Sequence, residues 1–191
     1  MIMIQLIKKF FEKLTPISEE EINMFVANME RKVYKRNSSL LSEGKVENYL
    51  SFIESGIVRY WIERDDREIC FDFIFEGSFF SAYPSFLTKK PTTWNIQTLT
   101  PTVIWRISYS DLQLIYKKTS VGERIGRLAA EQLAIEAINR EISLLTKTPE
   151  ERYLKLFSEY PLFIQSIPLK HLASFIGVTP QALSRIRKRI S

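Results

Sequence analysis

The segment whose reading decides the fold runs LKHLASFIGVTPQALSRIRK, Leu169 to Lys188. Leu169, Leu172, Ala173 and Ile176 recur at helical spacing, Gly177 and Val178 break the pattern, and a second amphipathic run follows. Thr179 is a suitable N-cap because its hydroxyl accepts from an orphan backbone N–H, and Pro180 suits the first helical position, where its missing N–H costs nothing. On the second helix Gln181, Ser184, Arg185 and Lys188 share one stripe at i, i+3, i+4 and i+7, opposite Leu183, Ile186 and Ile190. Two short helices joined by a glycine turn predict a helix-turn-helix. Small Ala173 stands where the helices cross, Gly177 where the turn needs permissive dihedrals, and Leu172, Ile176, Val178, Leu183 and Ile186 form the shared core.

Charge points to the same segment. The chain has 191 residues, 27 Lys+Arg and 22 Asp+Glu, a net charge of +5. Lys170, Arg185, Arg187, Lys188 and Arg189 lie in residues 168–191 without an acid, and removing them leaves 22 bases against 22 acids. The net charge is thus confined to one end, the pattern of a phosphate-binding surface. Taken alone, a basic helix of this kind also fits a solvated surface.

The rest of the chain sets limits. A hydrophobic share of 45% supports a real core. In the opening MIMIQLIKKFFEKL the lysines follow the apolar stretch and no small-residue cleavage site comes after, so no leader is expected. No apolar run approaches the roughly 18 residues of a membrane span, and a cytoplasmic protein without a membrane partner is expected. Cys70 is the one cysteine and His171 the one histidine, which leaves no disulfide, iron–sulfur or multi-histidine metal centre; no metal and no cofactor are expected. Cys70 reads as a buried small hydrophobe, with a redox role as the alternative, and His171 as a surface or phosphate-adjacent residue. Walker loop, dinucleotide fingerprint and nucleophile elbow are absent from the sequence, so an enzyme is not expected.

Texture divides the chain further. Residues 1–30 read as two helices, the second opened by a capping box of Ser18 and Glu21. From Val33 to Ile107 come short β-type runs, ENYLSFIES, GIVRYWIE, EICFDFIF, WNIQTLT and TVIWRIS, separated by Glu-Gly, Ser-Gly, Asp-Asp and Thr-Pro turn signals, which predict an antiparallel barrel or jelly roll. From Ser110, taken as a cap, to residue 147 a long helix is expected. Val121, Ile125, Leu128, Gln132, Ile135, Asn139 and Ile142 alternate spacings of four and three, a heptad seam that predicts a homodimer, with Gln132 and Asn139 fixing register. A second stripe of Ala130, Leu133, Ala137 and Leu144 leaves another apolar face. PEERYLKLFSEYP, Pro149 to Pro161, predicts one more helix bounded by prolines.

This order resembles the Crp/Fnr family of transcription regulators, through LKHLASFIGVTPQALSRIRK and the roll segment SGIVRYWIERDDREICFDFIFEGSFF. The resemblance implies an α+β chain: N-terminal helices with a cyclic-nucleotide-binding-like β-roll as sensor (1–109), a long dimerisation helix (110–147) and a helix-turn-helix DNA-binding domain (148–191). It implies double-stranded DNA as partner, leaves room for RNA polymerase and a small-molecule effector, and sends two recognition helices into successive major grooves. Gln181, Ser184 and Arg185 would then read bases, while Lys170, Thr179, Arg187, Lys188 and Arg189 would meet phosphates.

Two departures from the family qualify these implications. Its nucleotide-binding members follow a glycine with an acid that takes the ribose and then supply an arginine for the cyclic phosphate. Here Ser78 follows Gly77, and the arginine region reads KKPTTW, Lys89 to Trp94 with Pro91 between, so the usual binding of cyclic AMP is not expected. The expected pocket comprises Gly77, Ser78, Phe79, Phe80, Lys89, Lys90, Thr92, Thr93 and Trp94, and the aromatic members also fit plain core. Only SEYPLFIQSI separates the linking helix from the helical pair and one residue follows Ile190, which leaves little room for the family's β-wing. A cupin-type enzyme and a ligand-binding or protein-interaction module without sequence-specific DNA binding are the rival readings.

Overall fold

The computed structural model describes residues 2–65, 67–119 and 121–190; Asp66 of the Asp-Asp turn signal lies outside them. Two helices come first, α1 (Ile2–Glu12) and α2 (Glu19–Ala27). The capping box is present: Glu21 N donates to Ser18 Oγ at 3.2 Å and Ser18 N to Glu21 Oε2 at 3.2 Å.

Strands β1 (Glu30–Tyr34), β2 (Ser39–Leu41), β3 (Tyr49–Ser55), β4 (Ile57–Arg64), β5 (Arg67–Phe75) and β6 (Phe79–Phe80) follow. After the short helix α3 (Tyr83–Thr88) come β7 (Asn95–Thr98) and β8 (Thr102–Ser108). They form two four-stranded sheets, ordered β1-β8-β3-β6 and β2-β7-β4-β5. The described pairs of β1, β2, β3 and β6 are antiparallel. Helices α4 (Tyr109–Lys118), α5 (Gly122–Thr146), α6 (Pro149–Glu159), α7 (Pro161–Ser166), α8 (Leu169–Ile176) and α9 (Pro180–Ile190) complete an α+β chain, as the sequence predicts.

The chain divides into two compact units, one of residues 1–60 with 73–132, the other of 61–72 with 133–191. The second unit groups the tip of the β4–β5 hairpin with the C-terminal helices, and the division falls within α5.

In the first unit the apolar stripe of α1, Met3, Ile7 and Phe11, meets Phe25 of α2, Phe52 of β3 and Ile107 of β8. Phe79 lies at the centre of this cluster, 4.8 Å from the Phe52 ring, 5.8 Å from Phe25 and stacked on Phe11 at 5.6 Å. Such rings bring large apolar area with geometric preference, which seats the helices on the roll.

The long helix differs from expectation at its start. Ser108, not Ser110, is the cap, accepting from Asp111 N, and the helical run breaks at Thr119, whose backbone is extended at φ −113° and ψ 146°. Thr119 Oγ1 donates to Ile115 O at 2.9 Å, giving the end of α4 a side-chain partner. A Cβ at Gly122 would meet Thr119 and Tyr116, so glycine permits the close turn into α5. Ile125, 8% exposed, then belongs to the first unit's core, with Val121 packed against it. Those two residues therefore leave the predicted dimer seam.

Gly56, between β3 and β4, has φ +104°, and a Cβ there would lie 2.7 Å from Pro101 O and 2.8 Å from Thr102 Cα. Backbone atoms this close cannot yield cheaply. Gly56→Ala is expected to lower unfolding free energy by about 1–3 kcal/mol, read as a lower urea midpoint at unchanged slope.

Candidate functional site

In the second unit α8 buries His171, Leu172, Ala173 and Ile176, and ends at Gly177 with φ 82°. Gly177 N bonds Ser174 O at 2.9 Å and Val178 N bonds Ala173 O at 3.0 Å, so the glycine's left-handed turn closes the helix. Two arginines take the next carbonyls. Arg140 Nη2 donates to Phe175 O at 3.2 Å, and Arg152 Nε donates to Ile176 O at 2.9 Å. Arg140 lies over the Phe175 ring at 3.9 Å, and burial pushes its guanidinium below the usual arginine range, partly offset by Asp72. Arg152 also donates to Lys147 O at 2.5 Å, which binds the end of α5 to the end of α8.

Helix α9 starts as predicted, with Ala182 N donating to Thr179 Oγ1 at 3.2 Å. Leu183 and Ile186 are buried, leaving Gln181, Arg185 and Lys188 exposed and Ser184 half-buried. Among the described residues the side chains of Gln181, Arg185 and Lys188 have no hydrogen bond or ion pair. Thr179, Lys170, Arg187 and Arg189 are exposed too, but Arg189 Nη2 meets Glu150 at 2.5 Å and Lys170 Nζ meets Glu68 at 3.5 Å.

His171 is not the surface residue expected. It is 9% exposed, with Nδ1 3.5 Å from Sγ of Cys70, itself 1% exposed and buried as predicted. The sequence placed His171 beside Lys170 on a basic segment, whereas the helix turns its imidazole toward the hairpin.

The expected pocket residues of the roll are placed as follows. Phe79 is in the aromatic cluster and Phe80 is buried. Gly77 takes φ 80°, and its N–H bonds Ile53 O while Ile53 N bonds Ser78 O. Lys89 caps α3 in the left-handed region and lies 4.2 Å over the Tyr109 ring; Lys90 and Thr93 are exposed. Thr92 is buried and pairs with Gly44 and Lys45, and Trp94 lies 6.4 Å from Tyr60. One cavity of about 20 Å³ is lined by Phe11, Phe25, Tyr116 and Ile125 among others, and a groove of about 210 Å³ runs between α1 and α2; neither includes a pocket residue.

Two polar residues of the roll escaped the sequence reading. Arg59 is 3% exposed and donates from Nε and Nη2 to Gln97 Oε1 at 2.9 and 2.6 Å. Glu47 is 9% exposed, and its carboxylate accepts from the backbone N–H groups of Tyr49, Ala82 and Asn48. Burial raises its pKa above 4.5 despite these bonds. A carboxylate therefore sits against Ala82, the N-cap of α3, supplied by residue 47 and not by the position after Gly77. Alternation within GIVRYWIE could have flagged Arg59 as an inward charge; Glu47 carried no signal, because only the fold brings residues 47 and 82 together.

Residues 31–119 match the family profile described as the cyclic nucleotide-binding domain. No curated protein matches the chain. Solved regulators share its fold. The c-di-GMP-responsive global regulator CLP of Xanthomonas campestris aligns over 91% of each chain at 21% identity and a TM-score of 0.69. The catabolite activator protein of Thermus thermophilus aligns over 93% of this chain and 85% of its own at 17% identity, TM-score 0.60. FixK2 of Bradyrhizobium japonicum aligns over 85% and 84% at 17% identity, TM-score 0.71. No helix among the described residues is long and apolar enough to cross a membrane.

Two outcomes follow from this geometry. Arg152→Met removes charged donors to Lys147 and Ile176 carbonyls and is expected to cost about 1.5–3 kcal/mol, read by chemical unfolding. Glu47 holds its proton more tightly folded than unfolded, so its contribution to stability falls as pH rises from 4.5 toward the raised folded value. Glu47→Gln is expected to flatten the fall in melting temperature across that window; an unchanged profile would count against the raised pKa.

Proposed function

We propose that the chain is a sequence-specific DNA-binding transcription regulator, acting as a homodimer on an inverted-repeat operator. The observation that carries this reading is α9: its apolar side is sealed on α8, while Gln181, Arg185 and Lys188 stand exposed on the segment that holds the net charge. The pair α8–α9 is then a helix-turn-helix whose second helix enters the major groove. Arg185 bonds guanine O6 and N7, Gln181 reads adenine, and Ser184 contacts a base edge or phosphate. Lys170, Thr179, Arg187, Lys188 and Arg189 set register on phosphates, and contact with RNA polymerase belongs to the same reading. The similarity to CLP and to the catabolite activator protein supports it at the level of fold.

The dimer reading rests on α5. Ile135, Ile138, Ile142 and Leu145 are 54%, 55%, 52% and 78% exposed, at spacings of three, four and three. This stripe keeps Ile135 and Ile142 of the predicted seam and adds Ile138 and Leu145. Gln132 and Asn139 are exposed beside it, and Leu128 is half-buried. An Ile138→Glu, Ile142→Glu double variant is expected to sediment as a monomer while retaining its helical content.

For the roll, the Glu47 carboxylate at Ala82 repels a phosphate there, and the KKPTTW segment lacks an arginine, so cyclic AMP in its usual mode is not the effector. A small-molecule effector of another chemistry remains part of the reading.

Selection of bound fragments from random and genomic DNA at physiological salt tests it directly. One inverted repeat, with half-sites about 34 Å apart, is expected for the wild type. Arg185→Ala is expected to cost about 1–3 kcal/mol and relax one base pair, whereas Lys188→Ala weakens all sequences and lowers the salt slope by about one. Equal losses on specific and random DNA in both variants would remove Arg185 from base reading.

A further inference from the structure

Strand β5 lies at the edge of its sheet, next to β4 alone. An edge strand presents backbone groups that need cover. Here α8 supplies it. Ser174 Oγ accepts from Cys70 N at 2.9 Å and donates to Glu68 O at 3.3 Å, so one hydroxyl satisfies two edge groups two residues apart. His171, three residues back on α8, covers the Cys70 thiol, and Lys170 places Nζ 3.5 Å from the Glu68 carboxylate. Positions 170, 171 and 174 form one face of α8, held in register by Cys70 and His171, both at least nine-tenths buried.

The exposed end of this contact is the ion pair. Side-chain exposures of 67% for Lys170 and 36% for Glu68 leave both heads open to solvent and to an approaching polyanion. We propose that Glu68 is an intrachain competitor for Lys170: in the latched state the hairpin carboxylate occupies a cation that DNA phosphate would otherwise use, and withdrawal of the hairpin tip releases it. This regulation rests on the DNA-binding reading above. Glu68 acts twice, neutralising Lys170 and repelling a phosphate brought within a Debye length. The β4–β5 tip is the end of two strands that continue into the roll, so the competitor is carried by the strands of the proposed sensor.

Removing the carboxylate adds one effective phosphate contact without touching base readout. Glu68→Gln is expected to tighten binding to operator and random duplex alike and to steepen the slope of log K against log salt by about 0.9. The gain should therefore be about 3.5-fold larger at 50 mM than at 200 mM salt. Lys170→Gln is expected to cost more in the Glu68→Gln background than in the wild type, because only there is the lysine wholly available. Ser174→Ala, which loosens the latch without changing charge, should move affinity in the same direction as Glu68→Gln.

The measurement is fluorescence anisotropy of the full chain on both duplexes from 50 to 200 mM salt, with circular dichroism confirming that each variant is folded. A Glu68→Gln slope equal to the wild-type slope, with DNA still bound, overturns the competition and leaves the DNA-binding reading standing. Equal costs of Lys170→Gln in the two backgrounds overturn it as well. Failure of every folded form, wild type included, to bind any duplex overturns the DNA-binding reading, and the competition with it.

Discussion

The carbonyl end of α8 is the point on which the second unit depends. A helix leaves its last carbonyls without intrahelical partners, and at this end they are taken up by the turn and by two arginines. Gly177 closes the helix from inside the turn, while Arg140 and Arg152 reach in from α5 and α6 to take the carbonyls of Phe175 and Ile176. Because Arg152 also holds Lys147 O, the orientation of α8 and α9 is tied to the end of α5 by charged hydrogen bonds and not by apolar contact alone. Charged donors have directional demands that a greasy interface lacks, so the exposed face of α9 is presented at a defined angle to the long helix.

The contact between α8 and the β5 edge follows the same logic with a weaker hand. Ser174 completes the strand's backbone, His171 and Cys70 pack, and the Lys170–Glu68 pair lies at the solvent margin. An exposed ion pair contributes little to stability. Its value therefore lies in charge placement, which can change with little loss to the fold. In the first unit the contrast is instructive: Glu47 is buried on backbone N–H groups and cannot be given up so lightly.

Periodicity made the helical pair, the capping box at Ser18, the proline-bounded α6 and the strand-rich roll legible in advance. These features depend on neighbours within a few residues, where side-chain spacing maps directly onto a helix face or strand face. Misreadings arose where two faces competed. Val121 and Ile125 satisfy a heptad pattern, but the break at Thr119 turns Ile125 into the core and packs Val121 against it; Ile138 and Asn139 both fit a period near 3.5, which spacing alone does not separate. Short α7 fell in SEYPLFIQSI, a segment too brief to show a period.

By itself, the sequence determined that a basic, amphipathic helical pair follows a β-rich region, because local spacing and charge fix which faces can be buried. Only the tertiary structure decided which charges remain available. Lys170, Arg189 and Arg59 look alike to a charge count, and Glu47 looks like any other acid, yet the first two meet carboxylates at 3.5 and 2.5 Å while Arg59 and Glu47 are buried among polar partners. Glu68, Glu150 and Gln97 lie 102, 39 and 38 residues from Lys170, Arg189 and Arg59, and Ala82 lies 35 from Glu47, and no local pattern encodes such meetings. They arise when the chain folds, because a charge taken from water must find a partner, and the packing of distant elements decides which one.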